Sequence, residues 1–373
     1  MRSIGIVCGA GIISGKEIMA LELGEGMKTK GYAVDFVTSS WGSADFRKRL
    51  RGLGVAPYVV RVGYISATLT LDCLRMTAHQ ALHWPGLLYG YRRFLRRVVP
   101  VKVIHTNWHH LLLLWPFLKP ERDLFWLHEL VPNKPQYRRV FGALARHLQC
   151  FVPVSHAAAR SLAAIGIAPN KIRVIYNGLK DPVPGGGRRT VTPHRLRIGI
   201  IGQVGSWKGH EDLLEAFALV VRSHPAAELH VFGRGSDDYE RRLKHRADSL
   251  GVGGRITWHG FVSDRATIFQ SIEICSVPSR CEESFGLVAA EAGFFGLPVV
   301  ASRRGGLPEI VEDGVTGFLV EAGQPAELAA RIQMLFDDGQ LRQVMGEEAR
   351  ARVTARFCRE RLVDDFTHLL EEK

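Results

Sequence analysis

Short apolar runs alternate along this chain with longer stretches in which apolar residues return every three or four positions. That is the pattern of buried strands separated by helices that cover a sheet. Residues 4–8 read as a buried strand, a glycine-bearing loop follows, 17–30 reads as a helix and 33–38 as the next strand, together a βαβ unit. Further strands are predicted over 101–105, 124–127 and 150–154. A second series starts with a strand over 196–201 and continues with a helix over 211–223, a strand over 228–232, a helix over 238–250 and a strand over 255–259. Between the two series, residues 181–195 (DPVPGGGRRTVTPHR) combine Pro, a Gly triplet and few large apolar residues, the composition of a linker. The pattern predicts an α/β protein of two Rossmann-like domains, over 1–180 and 196–355. Within the tail 356–373, the amphipathic stretch 359–370 reads as a last helix that crosses back to the first domain.

Size and composition agree with two cores. A chain of 373 residues exceeds the length at which one core keeps growing, and 46% hydrophobic residues suffice to fill two. The opening MRSIGIVCGAGIISG leads from one arginine through apolar residues straight into glycines, so it reads as strand and loop rather than a targeting segment. The apolar run 111–118 is interrupted by Pro116 and falls far short of the ~20 residues a membrane-spanning helix needs. A soluble, cytoplasmic protein is expected. Six scattered cysteines without a Cys-x-x-Cys pair fit a reducing compartment and argue against a disulfide frame or structural zinc. Of fifteen histidines only His109 and His110 are adjacent, and no Asp-x-Asp occurs, so no metal site is expected.

Charge is unevenly divided. Residues 1–180 hold 25 Lys and Arg against 9 Asp and Glu, a net of +16; the remainder holds 24 against 28, a net of −4, and the two give the overall +12. Such asymmetry favours an anionic partner at the first domain, whether a membrane surface, a phosphorylated acceptor or nucleic acid; a merely solvated basic face weighs equally.

Three glycine-bearing turns lead from strands into helices, where free N–H groups and the helix dipole suit phosphate. The first, GAGIISGKE with Gly9, Gly11 and Gly15, lacks dinucleotide-binding spacing and by itself says little. The second runs from strand 198–201 through Gly202 and Gln203 to Lys208 and Gly209; alone, Lys208 reads as a surface lysine. The third, residues 276–320, places Glu283 before a helix opened by Ser284, Phe285 and Gly286, with Glu291 about two turns along it. Two carboxylates so placed would take hydroxyls on either side of a phosphate held at the helix start. A bare Glu-x7-Glu is more commonly a pair of surface acids.

The surroundings change that balance. The Glu-x7-Glu is followed by Gly296-Leu297-Pro298-Val299-Val300-Ala301, by Gly305-Gly306-Leu307-Pro308-Glu309-Ile310-Val311, and by Asp313-Gly314-Val315-Thr316-Gly317-Phe318-Leu319-Val320. This segment closely resembles the family-4 glycosyltransferases of GT-B fold, two Rossmann-like domains facing across a cleft. Upstream, Val174-Ile175-Tyr176-Asn177-Gly178, the Lys208-Gly209 turn and Phe232-Gly233-Arg234-Gly235 extend the resemblance. It is looser in the first half, at Ser14-Gly15-Lys16-Glu17 and Ser155.

The resemblance implies a retaining, metal-independent enzyme. Glu283 would hold donor-sugar hydroxyls, Glu291 the ribose, and the amides of Phe285, Gly286 and Leu287 the diphosphate. Lys208 would neutralise charge on the departing nucleotide. Gly15 would approach the donor from the other domain, and His128, ending a predicted strand in FWLHEL, would line the anomeric carbon; as an isolated residue it reads as a strand-end histidine. Where the family has Arg after the glycine of the second loop this chain has Gln203, which implies either weaker phosphate binding or compensation by Arg234. No cofactor is implied beyond the co-substrate, a UDP-sugar favoured over a GDP-sugar.

The stretch ALHWPGLLYGYRRFLRRVV sets Trp84, Leu87, Leu88 and Tyr91 before Arg92, Arg93, Arg96 and Arg97, which suits docking on an anionic bilayer and a saccharide or lipid-linked acceptor of surface polysaccharide or glycolipid synthesis. A buried helix with one basic face is the equal alternative. A GT-B epimerase or phosphorylase would share the architecture without the full carboxyl-terminal signature. A nucleic-acid-binding protein fits poorly with the acidic second half.

Overall fold

The computed structural model describes residues 2–9, 13–63, 65, 70–184 and 196–372; Gly11 of the first loop and residues 185–195 of the linker lie outside the described residues. The chain divides into two compact units, Met1–Lys180 with Arg359–Lys373, and Asp181–Cys358.

The first unit is built on six parallel strands, β1 (Ser3–Val7), β2 (Ala33–Ser39), β3 (Tyr58–Val60), β4 (Lys102–His105), β5 (Asp123–Leu127) and β6 (Phe151–Pro153), in the order β3-β2-β1-β4-β5-β6. Central β1 pairs Val7 with Val37 on one side and with His105 on the other. All five residues of β5 are buried, as expected of a parallel strand covered on both faces. Helices α1 (Gly15–Thr29), α2 (Ala44–Gly52), α3 (Leu71–Val98), α4 (Trp108–Leu114), α5 (Pro135–Ala145) and α6 (His156–Ala164) follow the strands in turn.

The second unit repeats the plan with β7 (Arg197–Ile201), β8 (Glu228–Phe232), β9 (Ile256–Gly260), β10 (Ile274–Val277), β11 (Val299–Ser302) and β12 (Gly317–Val320), all parallel, in the order β12-β11-β10-β7-β8-β9. Its helices are α7 (His210–Ser223), α8 (Asp237–Ser249), α9 (Arg265–Gln270), α10 (Leu287–Phe294), α11 (Leu307–Ile310), α12 (Pro325–Asp337) and α13 (Gly339–Arg356). Apolar faces of α7 and α12, with Leu213, Phe217, Val220, Leu328, Ile332 and Leu335, close one core against β7 and β8.

The last helix, α14 (Arg359–Glu371), belongs with the first unit although the second precedes it in sequence. It buries Leu362, Val363, Phe366, Leu369 and Leu370. Gly26 of α1 leaves room for Val363, since a Cβ there would stand 2.2 Å from its Cγ2. Phe366 meets Trp126 of β5 edge-on at 5.0 Å, and Arg359 pairs with Glu25 at 2.8 Å.

Candidate functional site

In a doubly wound sheet, ligands bind outside the carboxyl ends of the strands where the strand order reverses. In the second unit that point lies between β7 and β10, and the loops leaving these two strands carry Lys208 and Glu283. The loops are laced together by backbone. The N–H groups of Arg280 and Cys281 both donate to the Trp207 carbonyl, at 2.9 and 3.3 Å. Gly209 has φ +74°, and a Cβ there would stand 1.9 Å from the Pro278 carbonyl oxygen, so the turn closes only with glycine. Closed this way, Lys208 Nζ donates to Glu283 Oε1 at 2.6 Å, and the buried Ser279 hydroxyl donates to the same oxygen at 2.6 Å. Arg280 forms a bidentate pair with the buried carboxylate of Asp212 at the start of α7, at 2.6 and 2.7 Å, tying the same loop to that helix.

Glu283 is also gripped from the Gly-Gly turn. The Gly306 N–H donates to the Glu283 carbonyl at 2.7 Å, and a Cβ on Gly305 (φ +56°) would fall 2.0 Å from that carbonyl oxygen. Gly286 (φ +108°) is the N-cap of α10, with no side-chain cap. Because α10 begins at Leu287 rather than at Ser284, Glu291 is its fifth residue, a little over one turn in and not the two turns that the sequence suggested. Phe285 is buried and meets Phe357 edge-on at 5.6 Å.

Neither acid of the Glu-x7-Glu is an idle surface charge. Glu291 Oε1 pairs with Arg265 Nε at 3.0 Å, while its buried Oε2 has no hydrogen-bond partner among the described residues. Burial raises its pKa above the ordinary carboxyl value, and Arg265 pulls it back. One engaged and one unpartnered oxygen leaves acceptor capacity for a hydroxyl donor.

The loop after β8 packs on that after β7. The Val204 N–H donates to the Arg234 carbonyl at 2.9 Å, and a Cβ on Gly233 (φ +146°) would stand 1.7 Å from the Gly202 carbonyl oxygen. Gln203 and Arg234 are both exposed, and the Arg234 guanidinium lies 3.8 Å from Glu240.

In the first unit the strand order reverses between β1 and β4. Ser14, the N-cap of α1, donates from both its N–H and its hydroxyl to the buried Glu17 carboxylate, at 2.9 and 2.5 Å. This capping box fixes Gly15 and Lys16 at the helix start. His128 follows β5, its ring 4.4 Å from that of Trp126, and its Nε2 has no hydrogen-bond partner among the described residues. Desolvation, then the Lys16 charge, pushes its pKa down to about 3, so it is a neutral imidazole at neutral pH. Desolvation, then the charges of Lys16, His105 and His109, depress His110, also to about 3.

Helix α3 corrects one grouping made from the sequence. Leu87 and Tyr91 are in the core of the first unit with Phe94, and Trp84 donates its indole N–H to the Leu113 carbonyl at 2.8 Å. Of that grouping Trp84 is exposed, Leu88 is half-buried and Arg92, Arg93, Arg96 and Arg97 are exposed; the other exposed large apolar residues of this helix are Leu71, Leu74, Met76, Leu82 and Tyr89. No helix among the described residues is long and apolar enough to cross a membrane.

Candidate site residues not singled out in the sequence are Ser279, Arg265 and Asp212. Ser279 and Arg280 lie within the third turn, but nothing in their spacing marks them; Arg265 and Asp212 come from elements distant in the chain.

Comparison with known proteins gives consistent relatives for both units. The family described as Glycosyl transferases group 1 matches residues 192–352, and Glycosyltransferase Family 4 matches residues 13–181. Among curated proteins, D-inositol 3-phosphate glycosyltransferases are similar. That of Corynebacterium kroppenstedtii is 36% identical over 198 residues, and that of Segniliparus rotundus 32% identical over 207. The matches span 48% and 52% of this chain and only 44% and 46% of those relatives, less than half of their length. Two solved structures share the architecture throughout: Anabaena HepE in complex with UDP (TM-score 0.81, 20% identity, 99% of each chain) and sucrose-phosphate synthase from Thermosynechococcus elongatus (TM-score 0.77, 20% identity, 99% of this chain and 98% of that one). At such identity they establish the fold.

Proposed function

Because the chain belongs to the family-4 glycosyltransferases of GT-B fold, we propose that it transfers a hexose-type sugar from a nucleotide diphosphate to an acceptor hydroxyl with retention of anomeric configuration and without a metal. The observation that carries this reading is the Lys208–Glu283 pair at the strand-order reversal, beside the uncapped start of α10. The α10 start, with the amides of Phe285, Gly286 and Leu287, takes the diphosphate. Glu283 accepts hydroxyls of the donor sugar. Glu291 takes the ribose hydroxyls on its unpartnered oxygen.

In the reaction the acceptor oxygen bonds to the anomeric carbon as the bond from that carbon to the diphosphate oxygen breaks, and the hydroxyl proton passes to the departing diphosphate. Lys208, already oriented by Glu283, stabilises the charge that grows on the leaving group. Gln203 supplies an amide rather than a charged fork, and Arg234 is the nearby cation of the same loop pair. On the first unit, Gly15 and the neutral His128 are the residues that the resemblance assigns to the donor.

A UDP-sugar is the favoured donor, in keeping with the UDP bound in the HepE structure. On the acceptor side, the +16 first half suits an anionic saccharide or lipid-linked acceptor. The relatives named for inositol 3-phosphate support a phosphorylated one. The exposed arginines and apolar residues of α3 suit peripheral attachment at the cytoplasmic membrane face, in surface polysaccharide or glycolipid synthesis.

Incubating the chain with radiolabelled nucleotide sugars and candidate acceptors tests this. Transfer or slow hydrolysis with the α-anomer retained is expected for a UDP-sugar. An inverted product, or full activity in Glu283→Ala, refutes the mechanism.

A further inference from the structure

The first turns of α3 carry two imidazoles that the reading above does not use. His79 and His83 stand at i and i+4, so both rings leave one face of the helix. The spacing is His-x-x-x-His, a pattern the chain also has at His105 and His109. Their ring centroids are 4.6 Å apart with planes inclined by 46°.

The tautomer of one neutral ring follows from its hydrogen bond. His83 Nδ1 lies 2.9 Å from the His79 carbonyl oxygen; a carbonyl can only accept, so Nδ1 carries the proton and Nε2 the lone pair. Histidines that bind metals are commonly oriented by such a bond from the other ring nitrogen.

The helix face is fixed as well. Gln80, between the two histidines, is buried; its Oε1 accepts from the Gly63 N–H at 2.7 Å and its Nε2 donates to the Arg61 carbonyl at 3.2 Å. Trp41 packs against both imidazoles, with ring centroids 4.7 Å from His79 and 5.5 Å from His83. His79 and Trp41 are exposed and His83 half-buried, so the pair is open to solvent on a rotationally locked helix.

We propose that His79 and His83 form a bidentate site for a borderline divalent transition cation such as Zn(II) or Ni(II). Imidazole nitrogens suit these ions, at metal–nitrogen distances of about 2.0–2.1 Å for zinc. No group of three or more His, Cys, Asp or Glu side chains among the described residues could hold a metal, so two imidazoles supply the protein ligands and water completes the shell. Occupancy would clip the first turns of α3, most of whose residues are exposed, to the helical conformation.

The test is calorimetric titration of the untagged, chelator-stripped chain with nickel chloride and zinc chloride, with indole emission read in parallel. One saturable equivalent is expected, weakened on the order of ten-fold or more in His79→Asn and in His83→Gln. Trp41→Phe should keep the binding and lose the accompanying emission change. Thermal midpoints of the variants without metal should match that of the unaltered chain, since neither histidine is part of the core. Absence of saturable binding, or equal binding by the doubly substituted chain, overturns the proposal.

Discussion

Lys208 Nζ lies 2.6 Å from Glu283 Oε1 although the two residues are 75 positions apart in sequence. Each closes the loop of one of two adjacent strands, β7 and β10, and neither is fully exposed, with side-chain exposures of 27% and 16%. The pair gives Lys208 an orientation before any donor arrives, which is how an electrostatic catalyst avoids reorganisation in the transition state.

Lys208→Met and Glu283→Gln should each lower kcat by about 10²–10³-fold, as loss of one preorganised donor does. Because each orients the other, the double variant should lose less than the product of the two effects. A kinetic double-mutant cycle with the identified donor reads the coupling, and strict additivity would show that the pair is not a unit.

Two glycines of nearly equal φ separate conformational strain from steric collision. Gly209→Ala places a Cβ 1.9 Å from the Pro278 carbonyl oxygen, whereas Gly314→Ala (φ +78°) meets nothing within 4 Å. Gly314→Ala should cost only the left-handed penalty, roughly 1–2 kcal/mol. Gly209→Ala should cost clearly more in denaturant unfolding and should also abolish transfer, because Lys208 is its neighbour.

Arg265 holds down a carboxyl that burial pushes up. Donor binding that uses ionised Glu291 should strengthen as pH rises through this raised pKa. In Arg265→Ala the rise should move to higher pH, since the opposing charge is gone. Donor affinity measured from pH 5 to 9 for both chains checks the shift; superimposable profiles would separate Glu291 from ribose recognition.

Glu22 in α1 gives a pH dependence of stability rather than of binding. Burial raises its pKa from 4.5 to about 7, against the pull of Arg359. A carboxyl whose folded pKa is raised stabilises fully below its unfolded value, and that stability is lost as pH climbs through the folded one, here between about 4.5 and about 7. Glu22→Gln should therefore leave the thermal midpoint little changed at pH 4.5 and raise it at pH 8. Arg359 keeps its 2.8 Å partner Glu25 in the variant.

If α3 attaches to membranes, its exposed residues carry the attachment. Leu82→Ser with Tyr89→Ser, at 77% and 72% exposure, should reduce co-flotation with vesicles containing anionic lipid at low salt and leave folding intact. Vesicles of neutral lipid should fail to float the unaltered chain; equal flotation by both chains would exclude this face.

The alternation of strands and helices was legible in the chain because parallel strands buried on both faces carry continuous apolar runs, as over 4–7 in β1 and 124–127 in β5, and their covering helices must be amphipathic. The motif 283–320 was legible too, through glycines that the structure now explains one by one: Gly286, Gly305 and Gly306 are small because backbone or side chains of the site occupy the space of a Cβ. Tertiary structure alone decided the partners. Ser279 and Lys208 on Glu283, Arg265 on Glu291 and Arg280 on Asp212 join loops whose sequence separation no local pattern spans. It also turned Leu87 and Tyr91 inward, since helical spacing tells which residues share a face and only packing tells which face is covered.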